Sequence, residues 1–150
     1  METLERVRTS LAALRAERKR MGVWLLGPRD VWSGLAASLA AELGLTHIDL
    51  TEELLPKLTD ASPKPLGVFN PDDLITWLRD KAYDSSSPII IEGIEPLLAT
   101  FPKPRAQDFF RLVADLNVRS PVILATYLGT IVQASGFPSD RILSFTEGIT

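Results

Sequence analysis

Ile89-Ile90-Ile91-Glu92-Gly93-Ile94-Glu95 is the most strand-like stretch of the sequence, and it follows a break that reads Ser-Ser-Ser-Pro at residues 85–88. Three consecutive β-branched residues favour an extended backbone. The run is apolar at every position rather than at every second one, which is typical of a strand buried in a parallel sheet with helices on both sides. This stretch therefore predicts an α/β fold.

Four more apolar runs have the same character, and segments of helical periodicity separate them. The predicted strands are residues 22–26, 46–50, 89–91, 121–128 and 141–145. The predicted helices are residues 1–20, which are amphipathic, then 31–43, 51–58, 70–83 and a segment around Phe109. This alternation predicts one domain over residues 1–150, a three-layer sandwich with a mostly parallel five-stranded sheet.

Composition excludes several classes of protein. The 150 residues contain no cysteine, so disulfides, thiolate zinc sites and cysteine nucleophiles are absent. The N-terminus has no apolar core of signal-peptide length, and no later apolar run approaches the ~20 residues that span a bilayer. These features predict a soluble protein of the cytoplasm without a membrane association.

The charge is unevenly distributed. The whole chain has a formal net charge of -3, yet residues 1–20 carry six arginines or lysines against three glutamates. We interpret this segment as a solvated helix face, with Leu4, Val7, Leu11 and Leu14 turned inward at helical spacing. The alternative is binding of DNA phosphates, and its candidate residues are Arg15, Arg18, Lys19 and Arg20.

The segment after the first strand has the context of a phosphate-binding loop, because strand, turn and helix follow in series. A working P-loop reads G-x-x-x-x-G-K-[ST]. Reading from Gly27, the chain has Trp32 in place of glycine, Ser33 in place of lysine and Gly34 in place of the hydroxyl. A structural or partner-binding loop is the preferred interpretation, and retained nucleotide binding is the alternative. The candidate nucleotide-binding residues are Gly27, Pro28, Arg29, Trp32, Ser33 and Gly34.

Polar residues follow two other strands. Glu92 ends an apolar strand, as the magnesium-orienting acid of a Walker B element does, and Glu95 lies beyond it. Thr126 ends the fourth predicted strand, where it could stand beside Glu92 as a polar sensor. The tentative catalytic set is Glu92, Glu95 and Thr126, with Glu92 holding Mg²⁺; alternatively, these acids only solvate the strand end. His47 lacks a partner at metal-ligand spacing and is assigned to packing or to a satisfied hydrogen bond.

Four segments resemble a known family, the small P-loop protein BrxF of type 3 BREX phage-defence systems. They are Trp24-Leu25-Leu26-Gly27-Pro28, residues 48–56, residues 89–98 and residues 122–129, and the match covers most of residues 20–147 in order. The resemblance implies an additional-strand, AAA-like P-loop core without a lid domain. It also implies that Gly27 belongs to the phosphate loop, Glu92 is the Walker B acid, Glu95 the family's downstream glutamate and Thr126 the sensor.

Membership would place the chain in an antiviral complex that methylates host DNA, beside a large ATPase, a methyltransferase and a phosphatase-like protein. ATP or ADP with Mg²⁺ would be the ligands, but the missing lysine predicts no intrinsic ATPase activity. The expected function is a non-catalytic or weakly nucleotide-binding scaffold subunit. The alternatives are an ATPase activated by a partner or a homo-oligomer, and a DNA-binding accessory protein. A ring would need an arginine finger, for which the candidates are Arg105, Arg111, Arg119 and Arg141.

Overall fold

A computed structural model describes residues 2–27, 34–50, 52, 71–83, 87–99 and 101–145. Its strands are β1 (Met21–Leu25), β2 (Thr46–Asp49), β3 (Ile89–Glu92), β4 (Val122–Thr126) and β5 (Ile142–Ser144). Its helices are α1 (Glu2–Ala16), α2 (Leu35–Leu43), α3 (Pro71–Tyr83), α4 (Glu95–Leu98), α5 (Lys103–Ala114) and α6 (Gly129–Ala134). A 3₁₀ turn at Ser139–Arg141 leads into β5.

The five strands form one sheet in the order β2-β3-β4-β1-β5, and every neighbouring pair is parallel. The strand β4 thus lies between β1 and β3, although it comes after both in the chain. Residues 21–25 pair with residues 122–126, and residues 23–25 pair with residues 142–144 on the other side. The first strand is therefore an interior strand with a neighbour on each side, and the carboxyl ends of all five strands lie at the same end of the sheet.

Helices cover both faces of the sheet, which completes the three-layer sandwich that the apolar strands predicted. On one face, α1 and α2 bury Val7, Leu11, Leu14 and Leu39 against alternate strand residues such as Trp24 and Ile123. On the other face, α3, α5 and α6 pack on the remaining strand residues, with Phe109 and Phe110 fully buried. The parallel α/β architecture is confirmed.

The largest differences from the predicted elements lie at helix ends. The helix α2 begins at Leu35 because Gly34 has a left-handed backbone, with φ of 70°, and acts as the N-cap. Its predicted start at residue 31 and most of the predicted helix at 51–58 fall outside the described residues. The short helix α4 was missed because only four residues form it. None of the helices in the described ranges is long and apolar enough to cross a membrane.

Candidate functional site at the carboxyl edge

The residues that the sequence singled out come together at the carboxyl edge of the sheet. There β1 leads through Leu26 to Gly27, β3 ends at Glu92, and β4 ends at Thr126. Leu26 donates its backbone N–H to the carbonyl of Thr126 at 2.9 Å, so the exits of β1 and β4 lie side by side. In open α/β sheets this edge is where ligands bind.

Glu92 is paired with the protein's only histidine. His47 Nε2 lies 2.5 Å from Glu92 Oε1, and the two side chains are 28% and 21% exposed. Because a carboxylate accepts, Nε2 carries the shared hydrogen. The prediction of a satisfied hydrogen bond for His47 is confirmed. The sequence did not reveal that its partner is the candidate magnesium ligand.

Glu95 is held by the end of β4. The buried Thr126 Oγ1 donates its hydrogen to Glu95 Oε2 at 2.7 Å, and Thr126 Oγ1 also accepts a hydrogen bond from the backbone N–H of Leu128 at 3.2 Å. Gly93 makes this contact possible, since its φ of 84° turns the chain between β3 and α4. Gly93 therefore has a structural role in orienting Glu95.

Thr126 does not hydrogen-bond Glu92, the neighbour that the sequence analysis expected for it. Side chains alternate between the faces of a sheet, and β3 and β4 pair Ile91 with Leu124. Glu92 therefore shares the α1–α2 face, where it meets His47, whereas Thr126 shares the opposite face with Leu124. One carboxylate thus lies above each face, and each has its own protein partner.

Replacing Gly93 with alanine should lower the free energy of unfolding by about 1–2 kcal/mol, because a side chain at positive φ is strained. Urea unfolding followed by circular dichroism measures this loss. Gly129→Ala is the matched control, since a Cβ there meets only Leu25 Cδ1 at 3.8 Å. The control should change stability by less than about 0.5 kcal/mol. Equal losses in the two variants would show that the turn at Gly93 has no special backbone requirement.

The candidate phosphate loop is described only at its two ends. Gly27 is buried and Gly34 caps α2, while Pro28, Arg29, Trp32 and Ser33 lie outside the described residues. As a glycine, Gly34 has no side chain with which to cap the N-terminus of α2. The strand before this segment and the helix after it are therefore both present, whereas residues 28–33 between them lie outside the described residues.

A cavity of about 660 Å³ opens at the carboxyl ends of β1, β4 and β5. Its described walls include the half-exposed Tyr127 and polar groups of Thr130, Gln133 and Ser139. None of the described residues that line it carries a charge. Such a lining suits neutral polar groups and offers no cation to a phosphate.

Within the described ranges, no group of three or more histidine, aspartate or glutamate residues could hold a metal ion. Mg²⁺ needs oxygen ligands in a near-octahedral arrangement. Glu92 and its register partner Asp49 are the two carboxylates that the paired ends of β2 and β3 offer on this face, and the Glu92 carboxylate already accepts a hydrogen bond from His47. These residues do not form a protein-built magnesium site.

The four candidate DNA-binding residues divide into two pairs. Lys19 Nζ lies 2.9 Å from Asp115 Oδ1, and its hydrogen bond and charge lower the pKa of that carboxyl. Arg20 donates to the carbonyls of Glu17 and Arg119. Arg15 and Arg18 are exposed. Two of the four predicted residues, Lys19 and Arg20, therefore make intramolecular contacts.

No protein-family model matches the chain, and no curated protein matches it.

Proposed function

We propose that this chain is a P-loop-type scaffold subunit that binds nucleotide weakly or not at all. The strand order carries the proposal, because β4 lies between the loop-bearing strand β1 and the acid-bearing strand β3. That insertion is what the name of the additional-strand class describes. The helix α2 directly after the loop, and the acid at the end of β3, occupy the positions that the class requires.

Each of the two carboxylates has a hydrogen-bond partner within the protein, and this supports a non-catalytic role. P-loop hydrolysis uses one acid to orient the magnesium shell and another group to position the attacking water. Here Glu92 is bound by His47, and Glu95 is bound by Thr126. These hydrogen bonds fix the orientation of both carboxylates within the protein, and each leaves one carboxylate oxygen that the bond does not use.

The missing cation supports weak binding. In a working loop, lysine neutralises the phosphates while backbone N–H groups cradle them. Ser33 stands at that position in the sequence, and the described walls of the adjacent cavity are uncharged. A triphosphate would therefore meet little compensating charge from the described residues around this cavity.

The biological setting rests on the resemblance to BrxF. Under this proposal the chain is a component of a BREX-like anti-phage DNA-modification complex, with the large ATPase, the methyltransferase and the phosphatase-like protein as its candidate partners. Co-purification of tagged chain with those components is the expected result. A chain that binds none of them contradicts the scaffold role.

The P-loop assignment can be tested by restoring the missing lysine. The double variant Trp32→Gly/Ser33→Lys recreates Gly-Lys at the spacing of a working loop. It should bind Mg-ATP at least about tenfold more tightly than the wild type, a gain of roughly 1.4 kcal/mol. Isothermal titration calorimetry of both proteins with Mg-ATP and Mg-ADP measures the difference.

The matched control is Trp32→Gly/Ser38→Lys, because Ser38 is exposed on α2 and adds the same charge away from the loop. Equal affinities for the two double variants would contradict a phosphate-binding loop at this position. Micromolar binding by the wild type would instead favour the ATPase alternative. In that case hydrolysis within the complex should fall on Glu92→Gln and remain unchanged on Glu42→Gln, which alters an exposed acid of α2.

A further inference from the structure

The end of the sheet at which the strands begin lies opposite the candidate site and carries many arginine and lysine side chains. The strands begin there and the helices end there, so the carbonyl ends of the helices favour positive charge. This effect accounts for residues such as Arg15, in the last turn of α1. It does not account for Arg119, which lies between α5 and β4 and belongs to no helix.

Three basic side chains bind residues 114–119, the segment that contains Arg119. Lys19 binds the carboxylate of Asp115, Arg20 donates to the backbone carbonyl of Arg119, and Arg141 donates to the carbonyl of Ala114 at 2.9 Å. The backbone of residues 114–119 is thus fixed from both ends. Side chains that project from this segment are held in place before any ligand arrives, which reduces the entropic cost of binding.

A small cavity lies against this fastened segment. It has a volume of about 340 Å³ and is lined by Arg79 of α3 together with Asn117, Val118 and Arg119. Val118 packs on the core, whereas the two arginines and the asparagine are exposed. Guanidinium groups match phosphate oxygens geometrically, and an asparagine amide adds two further donors.

The two arginine side chains at this cavity have no polar partner among the described residues. Within the described part of the chain, neither the Arg79 nor the Arg119 side chain forms a hydrogen bond or an ion pair. Two like charges at one cavity repel each other, and an anion between them relieves the repulsion. The nearby acid Asp115 is already paired with Lys19 and does not supply that anion.

The positive surface extends beyond one phosphate group. Because Arg20 contacts the backbone of Arg119, the segment between α1 and β1 approaches the segment that lines the cavity. The exposed Arg18 belongs to that segment, and the exposed Arg15 lies in the last turn of α1. Exposed arginines grouped on one part of a surface are the electrostatic footprint of a polyanion-binding surface.

We propose that this amino-edge surface binds the phosphodiester backbone of a nucleic acid. Arg79 and Arg119 bind one phosphate, Asn117 donates its amide to the same group, and Arg18 contacts a neighbouring phosphate. Lys19, Arg20 and Arg141 are positioning residues that fix the 114–119 segment. This inference does not depend on the P-loop assignment, because the surface lies at the opposite edge of the sheet.

Fluorescence anisotropy of labelled duplexes over 50–200 mM salt tests the proposal, with the affinity expected to fall linearly with the logarithm of salt concentration. In Arg79→Gln/Arg119→Gln the salt slope should decrease by about 1 for each arginine. Affinity at low salt should fall by about tenfold, since two phosphate contacts are lost. Duplex DNA and duplex RNA form separate arms, because both present this backbone.

Arg105→Gln/Arg111→Gln removes the same charge from other positions on α5 and should retain at least half of the affinity. Unfolding temperatures should match among the proteins, because the side chains at 79 and 119 make no hydrogen bond or ion pair with the described residues. Absence of binding to both duplexes at 50 mM salt overturns the proposal. Equal losses in the two double variants also overturn it, since they would mean that only net charge matters.

Discussion

Trp24→Ala is expected to lower the free energy of unfolding by about 3–5 kcal/mol, the range for removing a large buried aromatic side chain. Trp24 is 1% exposed on the interior strand β1. Its ring meets Phe145 edge-on with centroids 5.5 Å apart, and it lies in the cluster that joins α1 and α2 to the sheet. Chemical denaturation of the purified chain measures the loss.

The same site offers a sharper test through Trp24→Phe. In the described structure, the Trp24 indole Nε1 is buried and has no hydrogen-bond partner. Tryptophan therefore loses its bond to water on folding without replacing it, and phenylalanine avoids that penalty. The smaller ring leaves some space, so we expect a net change of less than about 1.5 kcal/mol.

Trp77→Ala is the comparison for surface burial, because Trp77 is only partly buried on α3 and has Lys81 over its ring at 5.5 Å. Its loss should be roughly 1–2 kcal/mol, below that of Trp24→Ala. If Trp24→Phe proves as damaging as Trp24→Ala, the indole N–H has a partner in solution and the argument for the unpaired donor fails.

Arg141→Met should cost about 2–3 kcal/mol, since a charged donor is removed from several backbone acceptors at once. Arg141 Nη1 donates to the carbonyls of Lys19 and Met21 at 3.2 and 3.3 Å, and Nη2 donates to Ala114. The guanidinium thus ties the start of β5 to the start of β1 and the end of α5. Thermal and urea unfolding report the change.

Arg141→Lys should restore only part of the lost free energy of unfolding. An ammonium group lacks the planar arrangement of donors with which the guanidinium reaches both segments. Arg111→Met is the control for removing an arginine. Its bond to Asp108 joins exposed side chains three residues apart, so the expected change is below about 0.5 kcal/mol. Similar losses for Arg141→Met and Arg111→Met would mean that the fork contributes nothing measurable. As an arginine-finger candidate, Arg141 is already bound within its own chain.

The fold was predictable from local pattern because the strands are apolar at every position. Ile89-Ile90-Ile91 admits few interpretations other than a buried parallel strand, and Leu11 and Leu14 mark the inner face of α1. The order of the strands in the sheet was not available from such patterns. That order depends on which hydrophobic faces match across segments a hundred residues apart.

The chemistry of the site was less predictable for the same reason. Glu92, Glu95 and Thr126 could be selected because each follows a strand, but their partners depend on strand order and on the face each side chain takes. His47 could have been assigned to Glu92 only by knowing that β2 is the neighbour of β3. Arg141 resembles any arginine before a strand, and nothing in its sequence context indicates three carbonyl partners.

The interior position of β1, between β4 and β5, has a consequence for synthesis on the ribosome. Its two sheet neighbours, β4 and β5, begin about one hundred residues or more downstream. At about 5–20 residues per second, β1 waits roughly 5–20 s before its first neighbour exists. During that interval Val23, Trp24 and Leu25 cannot be covered by the sheet that finally buries them. The nascent chain is therefore a substrate for chaperones that bind exposed apolar strands, and its yield should depend on them.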